Sequence, residues 1–310
     1  MKRLFFCLSV LGMMLTGCSK NDDGKSDKPN NNGNEQPENP NEPKLPELPA
    51  LPDPDDVCSA MDDLNFMAYC YKNFDVNKDG KVSVTEANAA KGIDTSSTEC
   101  VSVKGVERFP NIKIFRSSNF ITELDLRYNL KLQSFSCFSN KKLITVLLPN
   151  TLTSIGQSAF YNCSNLPEIH LPASLTSIGD SAFRYCDNLT EINFPDNLTS
   201  IGEYAFQQCF SLTEINLPAS LTSIRGHAFS GCSSLTEIHL PASLTSIELY
   251  AFEYCSSLTK VTCHALVPPT LGVSSFDSKS IENLYVPAES IQAYKDSLWA
   301  RYFKNILPIE

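Results

Sequence analysis

A 23-residue phrase recurs five times without insertion or deletion, its first leucines at Leu152, Leu175, Leu198, Leu221 and Leu244. The third copy reads LTSIGEYAFQQCFSLTEINLPAS, and the others differ from it at a few positions. A unit this short cannot bury its own apolar face. It must stack against copies of itself, so the repeat predicts a solenoid.

The period also assigns the side chains. In Leu166-Pro167-Glu168-Ile169-His170-Leu171, alternation puts Ile169 and Leu171 on one side of a short strand and Glu168 and His170 on the other. Pro172 keeps the strand short. Phe160, Phe183, Phe206, Phe229 and Phe252 recur in register and predict an aromatic spine. Cys163, Cys186, Cys209, Cys232 and Cys255 form a parallel column, expected to hold small buried free thiols rather than disulfides.

Shorter phrases precede the 23-residue form: Ile121-x-x-Leu124-x-Leu126-x-x-Asn129, Leu132-x-x-Phe135-x-Cys137-x-x-Asn140 and Leu143-x-x-Val146-x-Leu148. They resemble successive leucine-rich repeats, with an asparagine that bonds the backbone of the turn after each strand. Phrases such as LTSIGDSAFRYCDNLTEINFP are similar to the BspA-like leucine-rich repeat surface lipoproteins of the Bacteroides group, with the likeness running over residues 105–310. That resemblance implies an α/β fold: a right-handed solenoid with short parallel strands and a C-terminal cap in YVPAESIQAYKDSLWARYFKNILPI. Residues 105–151 carry the shorter repeats, 152–265 the 23-residue repeats, and 266–310 the last repeat and cap. In the cap, residues 291–302 are expected to form one helix with Trp299 in its core.

Met1-Lys2-Arg3 followed by the apolar Leu4 to Leu15 reads as a signal peptide over residues 1–17. Leu15-Thr16-Gly17-Cys18 resembles a lipobox, which implies a lipidated Cys18. The polar, Pro-rich stretch 18–56 cannot bury enough surface to fold and reads as a tether. Its start, Ser19-Lys20-Asn21-Asp22-Asp23, resembles the acidic signal that sends lipoproteins of the same group to the outer face of the bacterial outer membrane.

Residues 57–104 are expected to form a small helical module around Asp75-Val76-Asn77-Lys78-Asp79-Gly80-Lys81-Val82-Ser83-Val84-Thr85-Glu86. This run matches the EF-hand loop: Asp75, Asn77, Asp79 and Ser83 offer side-chain oxygens, Lys81 its carbonyl, and Glu86 both carboxylate oxygens. The expected cofactor is a structural Ca2+. A first helix is expected to end near Phe74, and a second to run from Glu86 to Ala90.

The formal charge of −10 disfavours nucleic acid, whose phosphates require Lys and Arg. No nucleophile elbow, zinc-protease or phosphate-loop motif is present, and the reading is non-enzymatic. Two outward columns form the expected binding face: Glu168, Glu191, Glu214 and Glu237, ending in Lys260, beside His170, Asn193, Asn216, His239 and Thr262. Residues 152–243 hold eight Asp or Glu against two Arg, so the face is acidic and suits a basic protein patch. The family resemblance implies recognition or adhesion to an extracellular host or matrix protein, with membrane contact only through the lipid. Two alternatives stand beside it. One is a glycan-binding accessory lipoprotein of a polysaccharide uptake system, using Tyr161, Tyr185, Tyr204, Tyr250 and Tyr254 around a helical corner. The other is a purely structural envelope protein.

Overall fold

The computed structural model describes residues 45–277 and 281–309; the leader, Cys18 and the tether up to residue 44 lie outside them. The described chain winds as a right-handed solenoid of short parallel strands. One row of strands runs through Gly92–Asp94, Ile114–Arg116 and Ser134–Ser136. It is followed by Ser154–Ile155, Ser177–Ile178 and Ser200–Ile201, then by Ser223–Ile224, Ser246–Ile247 and Thr270–Leu271. A second row starts with Glu123–Asp125 and Thr145–Leu147. Single bridges His170↔Asn193 and Asn193↔Asn216 carry it forward. It widens through Glu214–Asn216, Glu237–Leu240, Lys260–Cys263, Ile281–Val286 and Phe303–Pro308.

This arrangement corrects the reading of the early phrases. Leu124 and Phe135 do not sit on successive coils: Glu123 pairs with Thr145, and Ser134 pairs with Ile114. Each eleven-residue phrase is half a turn, because a strand and its bend only reverse the chain and a second phrase must bring it back. The coil is 22 residues from Glu123 to Thr145, close to the 23 of the later repeats. Both dialects therefore wind at nearly one pitch.

The corners are a second correction. The repeats contain turns where a helical corner was expected; among the described residues the α-helices are α1 (Leu64–Phe74), α2 (Val84–Ala89) and α3 (Ile291–Lys295). Two residues per corner adopt left-handed backbone, such as Ser158 and Asn162, Tyr204 and Gln208, or Tyr250 and Tyr254. Left-handed backbone at a non-glycine residue is unfavourable by about 1–2 kcal/mol and breaks any helix. The compensation is visible: the N–H groups of Ser158, Phe160 and Asn162 donate to the carbonyls of Asp180, Ala182 and Arg184 on the next coil, at 2.8–2.9 Å. Turn residues thus make a third set of inter-coil hydrogen bonds.

The core follows the predicted register and extends it. Phe160, Phe183, Phe206, Phe229 and Phe252 are fully buried, with successive ring centroids 5.1–5.4 Å apart. Phe135 joins one end of the spine edge-on and Phe276 the other face-on. The five cysteines of the column are buried and free, and each thiol donates to a carbonyl of the preceding coil: Cys163 to Cys137, Cys186 to Phe160, Cys209 to Phe183, Cys232 to Phe206 and Cys255 to Phe229, at 3.1–3.3 Å. Burial pushes these thiols well up from their ordinary range, and Cys137 to about 12.

The two ends of the described chain are built differently. Residues 57–104 share the continuous core through Val57, Phe66, Cys70, Val82 and Ile93, and Gly92–Asp94 supplies a strand of the solenoid itself. Asp63 caps α1 with one oxygen, accepting from Asn65 and Phe66 N–H, and ties down Val101 and Ser102 N–H with the other. Burial works against its ionised form, but these four donors prevail and hold its carboxyl below the usual range. At the other end the expected helix over 291–302 is broken. Its first part, α3, ends at Lys295, and a 3-10 turn spans Leu298–Arg301. Ser297 is extended and its side chain accepts from Trp299 N–H, which restarts the turn. Trp299 is fully buried, as expected, and its indole N–H donates to the Pro269 carbonyl at 2.8 Å.

Candidate functional site

The outward columns of the second strand row are real rows in space. Glu214, Glu237 and Lys260 stand opposite one another in register, and so do Asn216, His239 and Thr262. His170, Asn193 and Asn216 align through single bridges. Glu168, His170, Glu191, Asn193, Glu214 and Asn216 are exposed, whereas Glu237 and His239 are half-buried. Glu214 accepts from its neighbour Asn216 at 2.8 Å, and Lys260 pairs with Glu237 at 3.2 Å. The acidic stripe is thus neutralised at one end and bare over three coils, Glu168 to Glu214. Thr262, expected to face solvent, is buried; its register neighbour Tyr285 is the larger side chain beside it.

One residue of this face escaped the sequence reading. His264 lies in the segment where the repeat decays, so no period pointed to it. Its ring centroid is 6.4 Å from that of His239, and the two imidazoles line a surface recess of about 330 Å3 with Lys260 and Tyr285.

The loop 75–86 closes on itself. Asp75 Oδ1 and Asn77 Oδ1 both accept the Asp79 N–H, at 3.2 and 3.0 Å, and Asp75 Oδ2 accepts the Gly80 N–H at 3.0 Å. Gly80 sits at φ +86°, a turn that favours glycine. Glu86 reaches back with Oε1 to the N–H groups of Val76 and Asn77. Its Oε2 accepts from the Ser83 N–H and hydroxyl, forming the capping box of α2. Those donors, Ser83 N–H foremost, hold the Glu86 carboxyl down at about 2. The Lys81 ammonium pairs with Asp53 at 2.9 Å. Among the described residues no group of three His, Cys, Asp or Glu is gathered closely enough to hold a metal.

The corner tyrosines are mostly occupied with each other. Tyr204, His227 and Tyr250 form a stack with centroids 4.7 and 4.8 Å apart. His227, solitary in sequence, is therefore the middle ring of a column. Burial lowers its pKa, with Arg184 adding to the effect and Glu253 opposing it. The Arg184 guanidinium covers Tyr185 at 4.8 Å and Tyr204 at 5.1 Å, while Tyr161 stacks on Phe138 at 4.9 Å. A sugar ring packs on an open aromatic face, and in these stacks the faces are already covered.

Six copies of the BspA type leucine rich repeat region match the chain, over residues 111–210 and 176–304. Comparison with curated proteins found no match. Among solved structures, a leucine-rich repeat protein from Bacteroides ovatus is 29% identical with a TM-score of 0.42, the alignment covering 57% of this chain and 50% of that one. The T. pallidum leucine rich repeat protein is 25% identical with a TM-score of 0.46, covering 63% and 86%. A leucine rich cell surface protein from Faecalibacterium prausnitzii is 22% identical with a TM-score of 0.43, covering 65% and 60%. The chain spans half the length of the first of these relatives.

Proposed function

The chain belongs to the BspA-type leucine-rich repeat family, and from that premise we propose that it is a non-enzymatic recognition protein of the bacterial surface. It binds an extracellular protein partner through the outward face of the second strand row. The observation that carries this reading is the register of Glu168, Glu191 and Glu214 beside His170, Asn193 and Asn216: a carboxylate beside an imidazole or an amide is offered at each successive coil on an exposed surface. Like charges on adjacent strands lower stability unless a partner neutralises them. A basic patch on an extracellular host or matrix protein does so and is steered by the same field. Binding of the full-length chain to immobilised matrix proteins tests the reading. Saturable binding that weakens with salt, and weakens again in a Glu191→Gln, Glu214→Gln double variant of unchanged melting temperature, is the expected result. No binding to any basic matrix protein overturns it.

In this reading Cys18 carries lipid, residues 19–56 act as the tether, and the chain sits on the outer face of the outer membrane; sequence supports these assignments. Residues 57–104 act as a calcium-stabilised EF-hand-like cover for one end of the solenoid, and 266–310 as the cap of the other. Support for calcium comes from the all-oxygen donor set of Asp75, Asn77, Asp79, Ser83 and Glu86, the Lys81 carbonyl and the turn at Gly80. Hydrogen exchange with calcium and with a chelator is the check. Chelation should speed exchange over residues 57–100 and leave the repeats protected; identical exchange in both conditions removes calcium from the account.

A further inference from the structure

A repeat protein carries its own reference sequence. Where one coil departs from the others without disturbing the core, the departure needs a reason outside the core. Two such departures meet at one corner. The column Asn162, Tyr185, Gln208, Gly231 and Tyr254 loses its side chain at Gly231, and the column Ser164, Asp187, Phe210, Ser233 and Ser256 gains an apolar ring at Phe210. The core beneath is unchanged, since Phe206, Cys209, Phe229 and Cys232 remain fully buried.

A notch of about 380 Å3 lies beside Gly231, within the usual range for small-ligand sites. Phe210 and Tyr254 both line it. They are 41% and 66% exposed, and among the described residues neither has an aromatic ring stacked on it. In that they differ from Tyr204 and Tyr250, whose rings are stacked on His227. Polar groups border the same space: the amides of Gln207 and Gln208, the Glu253 carboxylate, and His227, whose stacked ring can meet a ligand only by its edge. The Gln207 Oε1 atom is buried without a hydrogen-bond partner.

We propose that this notch binds one neutral hexopyranose unit of a glycan. The slightly positive C–H face of a pyranose packs against the negative faces of Phe210 and Tyr254. The amides donate to and accept from vicinal hydroxyls, and the Glu253 carboxylate adds a further acceptor. Glu253 repels an acidic sugar, as does the charge of −10 on the chain. The site uses none of the residues of the acidic stripe, so it stands or falls separately from protein recognition by that face.

The test is calorimetric titration of the full-length chain with cellohexaose, maltohexaose, mannohexaose and, as the acidic probe, a galacturonic acid hexamer. At least one neutral hexaose should bind, and the acidic hexamer about tenfold more weakly or not at all. Tyr254→Ala and Phe210→Ala should each weaken the neutral sugar by about tenfold or more. Gly231→Asn, which keeps the left-handed turn but puts a Cβ 3.1 Å from the Gln208 Cγ that lines the notch, should do the same, while Glu191→Gln should leave sugar binding unchanged. Both rings are substantially exposed, so the alanine variants should melt with the parent chain. The proposal is overturned if no neutral hexaose binds, if the acidic hexamer binds as tightly, or if binding survives the loss of both rings.

Discussion

Asn140 and Cys163 occupy the same column one 23-residue step apart, and they show how the early coils differ from the later ones. In each, the backbone N–H turns back to the carbonyl three residues before, that of Cys137 or Phe160. Each side chain then donates to an earlier coil: the Asn140 amide to the Ser118 carbonyl, the Cys163 thiol to the Cys137 carbonyl. Asn129 goes further and serves two carbonyls, those of Val106 and Phe109. An amide bond is stronger, but an amide brings further polar atoms that must also be satisfied, and Asn129 Oδ1 is left buried without a partner. A thiol gives a weaker bond and leaves little polar surface behind. That suits a stack of near-identical coils, where any misfit is repeated at every level.

The largest test of this contrast lies in the uniform region. Phe206→Ala should destabilise the chain by about 3–5 kcal/mol, because its ring is packed between Phe183 and Phe229 with nothing free to fill the cavity. An unchanged thermal melt would mean that the spine does not hold the coils together. Next, Gly202→Ala should cost about 1–3 kcal/mol: a Cβ there would lie 2.6 Å from the backbone N of Asp180 and from the Gly179 carbonyl carbon. Gly226→Ala is the paired control, since its nearest neighbour would be 3.6 Å away, and its melt should match the parent. If both glycines tolerate alanine equally, the close approach of successive coils is wrong.

Crossing to the early coils, Asn129→Ala should cost about 1–3 kcal/mol, because the Val106 and Phe109 carbonyls both lose their amide donor and keep one backbone N–H each. Cys209→Ala should cost less, because only the Phe183 carbonyl loses a weak donor. Equal losses in chemical denaturation would erase the distinction drawn between amide and thiol. The smallest effect is one of pH. Asp63 has its carboxyl lowered in the folded chain, so its contribution to stability is complete above the unfolded carboxylate range and fades as pH falls through the lower folded value. Acid should therefore loosen α1 and the segment at Val101 while the repeats stay protected from exchange, and Asp63→Asn should flatten that response.

Much of the interior was legible because a fixed period forces equal environments on equal positions. The phenylalanine and cysteine columns and the outward Glu and His/Asn rows all followed from it. What failed had no such period. Eleven-residue phrases look like whole repeats until pairing shows that Glu123 meets Thr145 and not Ser134. The corners were expected to be helical, but left-handed Ser181 and Tyr185 interrupt any helix there. Ser297 split a segment that apolar spacing alone made continuous. His264 and the notch at Gly231 are departures from the average, and pattern reading looks for the average first.

The cysteine column has one more consequence, and it concerns the chain before it is wound. Stacked, each sulfur is sealed from any oxidant. Unwound in an oxidising compartment, the same chain displays thiols at even intervals, any two of which can join in the wrong order. A crosslink of that kind would freeze coils out of step. A thiol column of this kind is safe from mispairing only in the wound state.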